Sequence, residues 1–302
     1  MSFQFAHPFQ SARRGLPPFP GTRSHWRGRA ALACLLSAAS MGAAHSQTLD
    51  LKNYSLTFRD NFDALDISAL GPGTRWTAHT PWNGDFGDAV FDDPGPAGPF
   101  SKAPNGLRIT ASKDASGKWH SGLISSMDKD GAGQSGFAQQ YGYFEMRAKM
   151  PEGPGVWPAF WLIGTDKSKA ASEIDVVEFY GVGPEYYHNW LHHFIDGKDI
   201  LSKENLVKAP KGLLTGAFNN FGVLVEPDRI KFYLNREIVW DTPTPPSFHQ
   251  PFYILANLAL GGGWPTDKLA SPAVFEIEYI AAYQLNSRLT APVSASSTAP
   301  GN

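Results

Sequence analysis

Three acidic residues lie within the segment Ser172–Tyr180, whose other positions are mostly apolar or β-branched. Such a composition is typical of a strand and predicts that the acids are not part of a solvated run of charge. Side chains alternate between the two faces of a strand, which places Glu173 and Asp175 on one face and Glu178 on the other. One extra residue at Val176-Val177, a β-bulge, would return Glu178 to the face of the other two acids.

A shared face for three carboxylates is costly, because like charges repel and the pKa of at least one acid must rise. This arrangement is unsuited to a core, but it suits two carboxyl groups that work as acid and base. Two carboxyls about 5 Å apart match retaining glycoside hydrolysis, in which one attacks the sugar and the other protonates the leaving oxygen. A strand edge protected by charge would have the same spacing. Spacing alone therefore leaves both interpretations open.

The motif and its flanks resemble glycoside hydrolase family 16. The sequence Glu-Ile-Asp-Val-Val-Glu at 173–178 is similar to the bulged Glu-x-Asp-x-x-Glu signature of laminarinases, β-agarases and related enzymes. The resemblance extends from about Leu56 to Gln284, and it includes the strand before the signature, a tryptophan strand and a late strand, at 141–151, 155–162 and 252–262. It implies a concanavalin-like β-jelly-roll sandwich of two curved antiparallel sheets with a concave substrate cleft.

The rest of the chain also indicates an all-β fold. From Leu51 onward, short β-rich segments alternate with turn residues, and no segment has the sustained apolar spacing of a long helix. The residues Asn235-Arg236 stand between two such segments and predict a hairpin turn. More than ten short strands without helices imply a two-layer sandwich.

The resemblance assigns roles to residues of the acidic strand. Glu173 is the expected nucleophile, and Glu178 is the expected general acid, which then serves as the base. Asp175 lies between them and is expected to hold the nucleophile and tune the protonation of the pair. The three acids are expected to titrate together.

Aromatic and histidine side chains are the expected substrate contacts. Trp157 and Trp161 are four positions apart and share a strand face, so at least one is expected to be a stacking platform for sugar rings. The alternative is burial between the sheets, which parity predicts for Phe160. The other expected contacts at the cleft are His192, which lies on the strand after the acids, Trp264, Trp82 and Asn83.

Charge and cysteine content bear on partners and location. The formal net charge is −2, but residues 1–46 hold five arginines and no acid, which leaves 21 basic against 28 acidic residues. A mildly acidic protein without basic runs argues against nucleic acid or an anionic membrane as partner. The expected partner is a polysaccharide, and nothing in the sequence indicates an interface beyond the cleft, so a monomer is expected.

The chain is expected to have three parts. Residues 1–46 are predicted to be a signal peptide, because an apolar segment at 30–39 follows basic residues and small residues precede a cleavage site before Gln47. The protein is therefore expected to be secreted or periplasmic, and without Cys34 the remaining chain has no disulfide. The catalytic domain is expected at 47–285, followed by a disordered tail at 286–302.

No catalytic cofactor or metal is expected. Many relatives in the family carry a structural calcium ion with an Asp in the last strand, and this sequence has Glu278 there, so a structural calcium ion is the open alternative to no metal. The leading interpretation is a secreted retaining endo-β-glycanase that cuts β-1,3 or mixed β-1,3/1,4 glucosidic bonds. The same signature also serves cleavage of a galactan or bacterial exopolysaccharide, and transglycosylation. A non-catalytic carbohydrate-binding module is the alternative from another class, although such a module would typically lack one of the two glutamates.

Overall fold

The computed structural model describes residues 48–80, 84–128, 136–166 and 170–289. The strands are β1 (Tyr54–Asp60), β2 (Ile67–Ser68), β3 (Trp76–Thr77), β4 (Ala89–Phe91), β5 (Phe100–Ala103), β6 (Gly106–Lys113), β7 (Trp119–Ser121), β8 (Leu123–Ser125), β9 (Ala138–Gln139), β10 (Gly142–Lys149), β11 (Val156–Gly164), β12 (Ala170–Glu178), β13 (Tyr186–Ile195), β14 (Lys198–Lys208), β15 (Asn219–Val225), β16 (Arg229–Leu234), β17 (Glu237–Pro243), β18 (Phe252–Leu260) and β19 (Ala273–Leu285).

Helical structure is limited to single turns in the described residues. The α-helical turns are α1 (Leu213–Gly216) and α2 (Asn286–Leu289), and 3-10 turns occur at Leu51–Asn53 and Pro246–Phe248. Helix α2 is the start of the tail that was expected to be disordered, while 290–302 and the predicted signal peptide lie outside the described residues. No helix in the described ranges has the length and apolar character needed to cross a membrane.

Two sheets pack face to face, which confirms the predicted sandwich. The sheet that carries the acids, here called the site sheet, has the order β14-β13-β12-β11-β18-β8-β3-β2, with β9 beside β18. The supporting sheet has the order β17-β16-β15-β10-β19-β6-β7-β4, with β1 and β5 attached. Pairing is antiparallel except for β2 with β3 and β4 with β7, which are parallel. The predicted sandwich of two antiparallel sheets is thus confirmed, and parallel pairing is confined to these two short pairs at the sheet edges.

Alternation along β11 separates the core from the site. Val156, Phe160 and Leu162 belong to the large apolar cluster between the sheets, as parity predicted for Phe160. Trp157 and Trp161 belong to a second apolar cluster on the opposite face of the site sheet. Every residue of β11 is buried because both faces of this central strand are covered. The strand next to the acids is thus anchored by the core on one side and supports the site on the other.

The predicted hairpin turn joins β16 to β17. Asn235 and Arg236 both have positive φ, 52° and 67°, as a two-residue hairpin turn of type I′ requires. This conformation directs Arg236 onto the outer face of the supporting sheet, where it contacts the buried Glu145. The turn therefore contributes an ion pair as well as a chain reversal.

Candidate active site

Strand β12 contains the predicted bulge. Asp175 is opposite Trp190 of β13 and Glu178 is opposite His188, so three steps along β12 match two along β13. Val176 and Val177 are both buried in the core between the sheets, although they are adjacent. The extra residue returns the Glu178 side chain to the face of Glu173 and Asp175, so all three acids lie on the face away from that core.

The three carboxylates are almost fully buried. The exposed fractions of Glu173, Asp175 and Glu178 are 3%, 3% and 7%. Burial raises the pKa of Glu173 to about 7, with the Glu178 charge adding to the rise and the His192 charge opposing it. Burial also raises the pKa of Asp175 well above its usual range, and that of Glu178 above its ordinary value. The group therefore holds protons into the neutral range, as acid catalysis at such pH requires.

Two hydrogen-bond donors hold Glu178. Trp157 donates from Nε1 to Oε1 at 2.7 Å, and Tyr180 donates from its hydroxyl to Oε2 at 3.3 Å. Both bonds stabilise the carboxylate form and so moderate the rise in the pKa of Glu178 that burial causes. They also fix the position of the carboxyl group.

His192 lies beside the other two acids. It is directly opposite Glu173 in the β12–β13 pairing, and its Nε2 is 3.6 Å from Asp175 Oδ2. One polar atom each from Glu173, Asp175 and His192 lie within 4.8 Å of one another. The structure thus places the predicted histidine next to Asp175 and Glu173.

Both tryptophans of β11 lie on the site face, but their rings are covered. The exposed fractions of Trp157 and Trp161 are 5% and 2%. Phe86 packs edge-on against both, at centroid distances of 5.5 and 5.9 Å. Trp161 donates from Nε1 to Asn257 Oδ1 at 2.8 Å. In this structure the two indoles support the site and donate hydrogen bonds, and their role in stacking on sugar stays a prediction.

The remaining predicted contacts are in loops. Trp264 is half-buried in the loop that follows β18. That loop packs closely on the site, since a Cβ added to Gly262 would lie 2.6 Å from the Tyr180 ring and 3.0 Å from the Trp157 ring. Gly262 also has a φ of 61°, so the position favours glycine for two reasons. Trp82 and Asn83 lie outside the described residues.

Strand β13 presents a row of stacked rings that sequence reasoning assigned only at His192. The rings of His188, Trp190, His192 and Phe194 follow one another at centroid distances of 6.4, 5.2 and 5.5 Å. The alternation of ring residues in the sequence is the signal that identifies them. Two acids of β14 pair with the histidines, Glu204 with His188 at 2.5 Å and Asp199 with His192 at 2.7 Å. No sequence motif marks those acids, because the pairing depends on cross-strand register.

Glu278, the residue on which the expectation about calcium depends, forms a salt bridge in this structure. Its carboxylate accepts a hydrogen bond from Arg147 Nε at 2.8 Å. The guanidinium charge opposes a second cation at that carboxylate. The position where the family has a calcium-binding Asp is therefore occupied by a salt bridge in this chain.

We expect Glu173→Gln to stabilise the fold at pH 8 and to change it little at pH 4.5. Burial raises the pKa of Glu173 from 4.5 to about 7, so the folded protein binds this proton more tightly than the unfolded chain. Its contribution to stability is fully present below pH 4.5 and is lost as the pH rises through about 7. Glutamine stays neutral and avoids that loss, roughly 1–3 kcal/mol. Calorimetric Tm values at the two pH values test this, and an equal Tm difference at both would contradict it.

Comparisons with known proteins agree with this geometry. An endo-1,3-1,4-beta-glycanase of Rhizobium meliloti, EglC, is 32% identical over 265 residues, which cover 80% of this chain and 54% of that protein. A second endo-1,3-1,4-beta-glycanase of the same organism, ExsH, is 33% identical over 262 residues, which cover 79% and 54%. The chain thus spans about half the length of these curated relatives.

The fold is similar to that of solved structures. The laminarinase catalytic domain from Thermotoga maritima superposes with a TM-score of 0.60 at 20% identity, covering 77% of this chain and 99% of that one. The model of the family "Glycosyl hydrolases family 16" matches residues 101–281, a segment that contains the bulged strand β12 and most of the site sheet. Because this match extends over more than half of the chain, the protein belongs to glycosyl hydrolases family 16.

Proposed function

We propose that this protein is a retaining endo-β-glycanase that hydrolyses internal β-1,3 or mixed β-1,3/1,4 glucosidic bonds of a polysaccharide. The observation that carries the proposal is the bulge in β12, which places Glu173, Asp175 and Glu178 on one buried face. The names of the two Rhizobium relatives support the substrate class. This chain covers only about half of the length of those proteins, so their activity is proposed for it and not transferred.

The proposed reaction has two displacements. The ionised Glu173 attacks the anomeric carbon while the protonated Glu178 gives its proton to the leaving oxygen, which breaks the glycosidic bond and forms a glycosyl ester. Glu178, now ionised, removes a proton from water, which attacks the same carbon and releases Glu173. Trp157 and Tyr180 stabilise Glu178 in its ionised form between the two steps. Two inversions retain the β configuration.

Product analysis tests both substrate and mechanism. The protein without residues 1–46 is incubated with laminarin, mixed-linkage β-glucan, agarose and a succinoglycan-type bacterial polymer, and oligosaccharides are identified by mass spectrometry. Oligosaccharides from either glucan, with the β-anomer appearing first by NMR, are the expected result. Products from only the galactan or the bacterial polymer would keep the mechanism and change the substrate. Binding to a polymer without any new reducing ends would instead support a carbohydrate-binding module.

We also infer export, with removal of residues 1–46, from the composition of that segment. Expression of the full chain in a bacterium followed by N-terminal sequencing of the extracellular and periplasmic fractions tests this. A mature protein that starts at Gln47 is expected. Recovery of the unprocessed chain from the cytoplasm alone would contradict it.

We expect Tyr180→Phe to move the alkaline limb of the kcat/KM profile to higher pH, with less than about a fivefold change at the optimum. The lost hydroxyl donates to Glu178 and favours its ionised form, so its loss raises the pKa of Glu178 further and keeps the general acid protonated to higher pH. Profiles on a soluble glucan check this. The control is Tyr233→Phe on β16 of the supporting sheet, which should leave the limb unchanged, and a shift to lower pH in Tyr180→Phe would contradict the assignment.

A further inference from the structure

A second bulge lies in the strand pair next to the acidic strand. In the pairing of β13 with β14, His193 is opposite Leu201 and Phe194 is opposite Asp199, so β14 has one extra residue at Ile200. The side chain of Ile200 is solvent-exposed, with 61% of the residue surface accessible. A bulge of this kind changes the direction of the neighbouring side chain. Here the neighbouring side chain is that of Asp199, which contacts His192.

Both oxygens of Asp199 are engaged. Oδ1 accepts from the backbone N–H groups of His193 and Leu201 at 3.3 and 3.2 Å. Oδ2 is 2.7 Å from Nδ1 of His192. A carboxylate can only accept hydrogen bonds, so the short contact requires the proton of His192 to be on Nδ1. The backbone bonds hold the carboxylate in the orientation that imposes this tautomer.

The ring of His192 has little freedom of its own. Trp190 and Phe194 stack on its two sides, with interplanar angles of 20° and 23°. With Nδ1 bound to Asp199, Nε2 is directed toward Asp175 at 3.6 Å. Asp175 Oδ2 is buried and has no hydrogen-bond partner among the described residues. The Nε2 atom of His192 is a polar group close to this oxygen, at 3.6 Å.

We propose that Asp199 is a positioning residue for glycoside cleavage, because it fixes the tautomer and orientation of His192 and thereby presents Nε2 to Asp175 beside the nucleophile. This inference rests on the proposed function for its role in turnover. With Nδ1 protonated, Nε2 can accept the proton of Asp175 when that acid is protonated, or donate to it when the imidazole is charged. The three residues Asp199, His192 and Asp175 then form a connected series from strand β14 to the acids of β12, and Asp199 acts through His192.

Charge around His192 agrees with this role. Burial alone would lower the pKa of His192, but the hydrogen bond that its ring donates to Asp199 and the charges of Glu173 and Asp199 raise it overall, with a smaller effect from Glu178. The titratable groups that face His192 are Glu173, Asp175 and Glu178 on β12, Asp199 on β14, and His188 beyond Trp190 on its own strand. Loss of the Asp199 charge therefore lowers the proton affinity of the ring.

Asp199→Asn is the variant that tests the tautomer of His192 most directly. The asparagine oxygen can keep the two backbone bonds, and its amide nitrogen then faces Nδ1 of His192 as a donor. That arrangement reverses the tautomer, with the proton moving to Nε2. Asp196→Asn is the matched control, because Asp196 is an exposed residue in the turn of the same hairpin, with a φ of 50° that asparagine tolerates.

The test has a spectroscopic and a kinetic readout. Histidine tautomers are read by 15N NMR of the protein from residue 47 onward, with the His192 signals identified by their loss in His192→Gln. We expect a proton on Nδ1 in the wild type and in Asp196→Asn, and on Nε2 in Asp199→Asn. In Asp199→Asn, kcat is expected to fall about 10–100-fold with little change in KM and with an altered pH profile.

Two results would overturn the proposal. A wild-type His192 with its neutral proton on Nε2 does so without any variant, even if Asp199→Asn fails to fold. An Asp199→Asn protein that keeps the wild-type tautomer and pH profile, and loses only thermal stability, would show that Asp199 only stabilises the β13–β14 hairpin. A wild type with the expected tautomer but no glycan cleavage would instead reject the proposed function, so the two failures are distinguishable.

Discussion

Glu173→Gly and Glu178→Gly variants are expected to lose about 10⁴-fold or more of the turnover on polysaccharide. Under the proposed function, Glu173 supplies the attacking carboxylate and Glu178 the proton for the leaving oxygen, and glycine at either position removes that group. Reducing-end release from a soluble glucan measures the loss. Retention of more than about a tenth of the activity in either variant would contradict its assignment.

Azide separates the two roles. In the Glu173 variant, azide fits the space of the lost carboxylate and attacks the anomeric carbon from the nucleophile's side, so the glycosyl azide has the configuration opposite to that of the substrate. In the Glu178 variant, tested on an aryl glycoside with a good leaving group, azide attacks the glycosyl ester and the product retains the β configuration. NMR of the two azides checks this. The reverse pattern would exchange the roles of Glu173 and Glu178.

Glu173→Gln separates loss of catalysis from loss of folding at this position. Glu173→Gln is expected to be inactive and yet more stable than the wild type at pH 8, because it removes a buried group whose pKa of about 7 costs stability there. An inactive variant with a raised Tm cannot owe its inactivity to unfolding. Catalytic acids that are held at the expense of stability are a common feature of active sites.

Arg236→Met is expected to destabilise the fold by about 3–5 kcal/mol, which corresponds to roughly 6–20 °C in Tm for a domain of this size. Arg236 donates from Nε and Nη2 to both oxygens of Glu145, at 2.9 Å each. Glu145 is fully buried on β10 and also accepts from the hydroxyls of Tyr143 and Tyr279. Without the guanidinium, a buried carboxylate has no compensating charge, and calorimetry at pH 7 measures the cost.

Arg147→Met is the matched control for this prediction. Arg147 and Arg236 are equally exposed, at 33% of their side chains, and each binds a glutamate at under 3 Å. The partner of Arg147, Glu278, is 36% exposed, whereas Glu145 is 0% exposed. Water can solvate Glu278 when its partner is lost, so the cost is expected to be under about 1 kcal/mol. Equal losses in both variants would show that burial of the acid does not decide the effect.

The sequence predicted the features of the site that depend on side-chain direction along one strand. The three acids, the bulge at Val176-Val177 and the shared face of the two tryptophans follow from alternation, which is a local property of an extended chain. The turn at Asn235-Arg236 follows from its position between two strand-like segments. The structure confirmed the bulge, the face of the tryptophans and the hairpin turn.

Features that join distant strands were decided only by the tertiary structure. Phe86 covers Trp157 and Trp161, and Arg236 reaches Glu145, across long separations in sequence. The pairing of Asp199 with His192 depends on a bulge in β14, and no residue type in that strand predicts the bulge. Alternation states which way a side chain points, but its partner is set by the register between strands and by the irregularities that shift it. The acids of the site could therefore be recognised in the sequence, whereas the groups that hold and tune them required the fold.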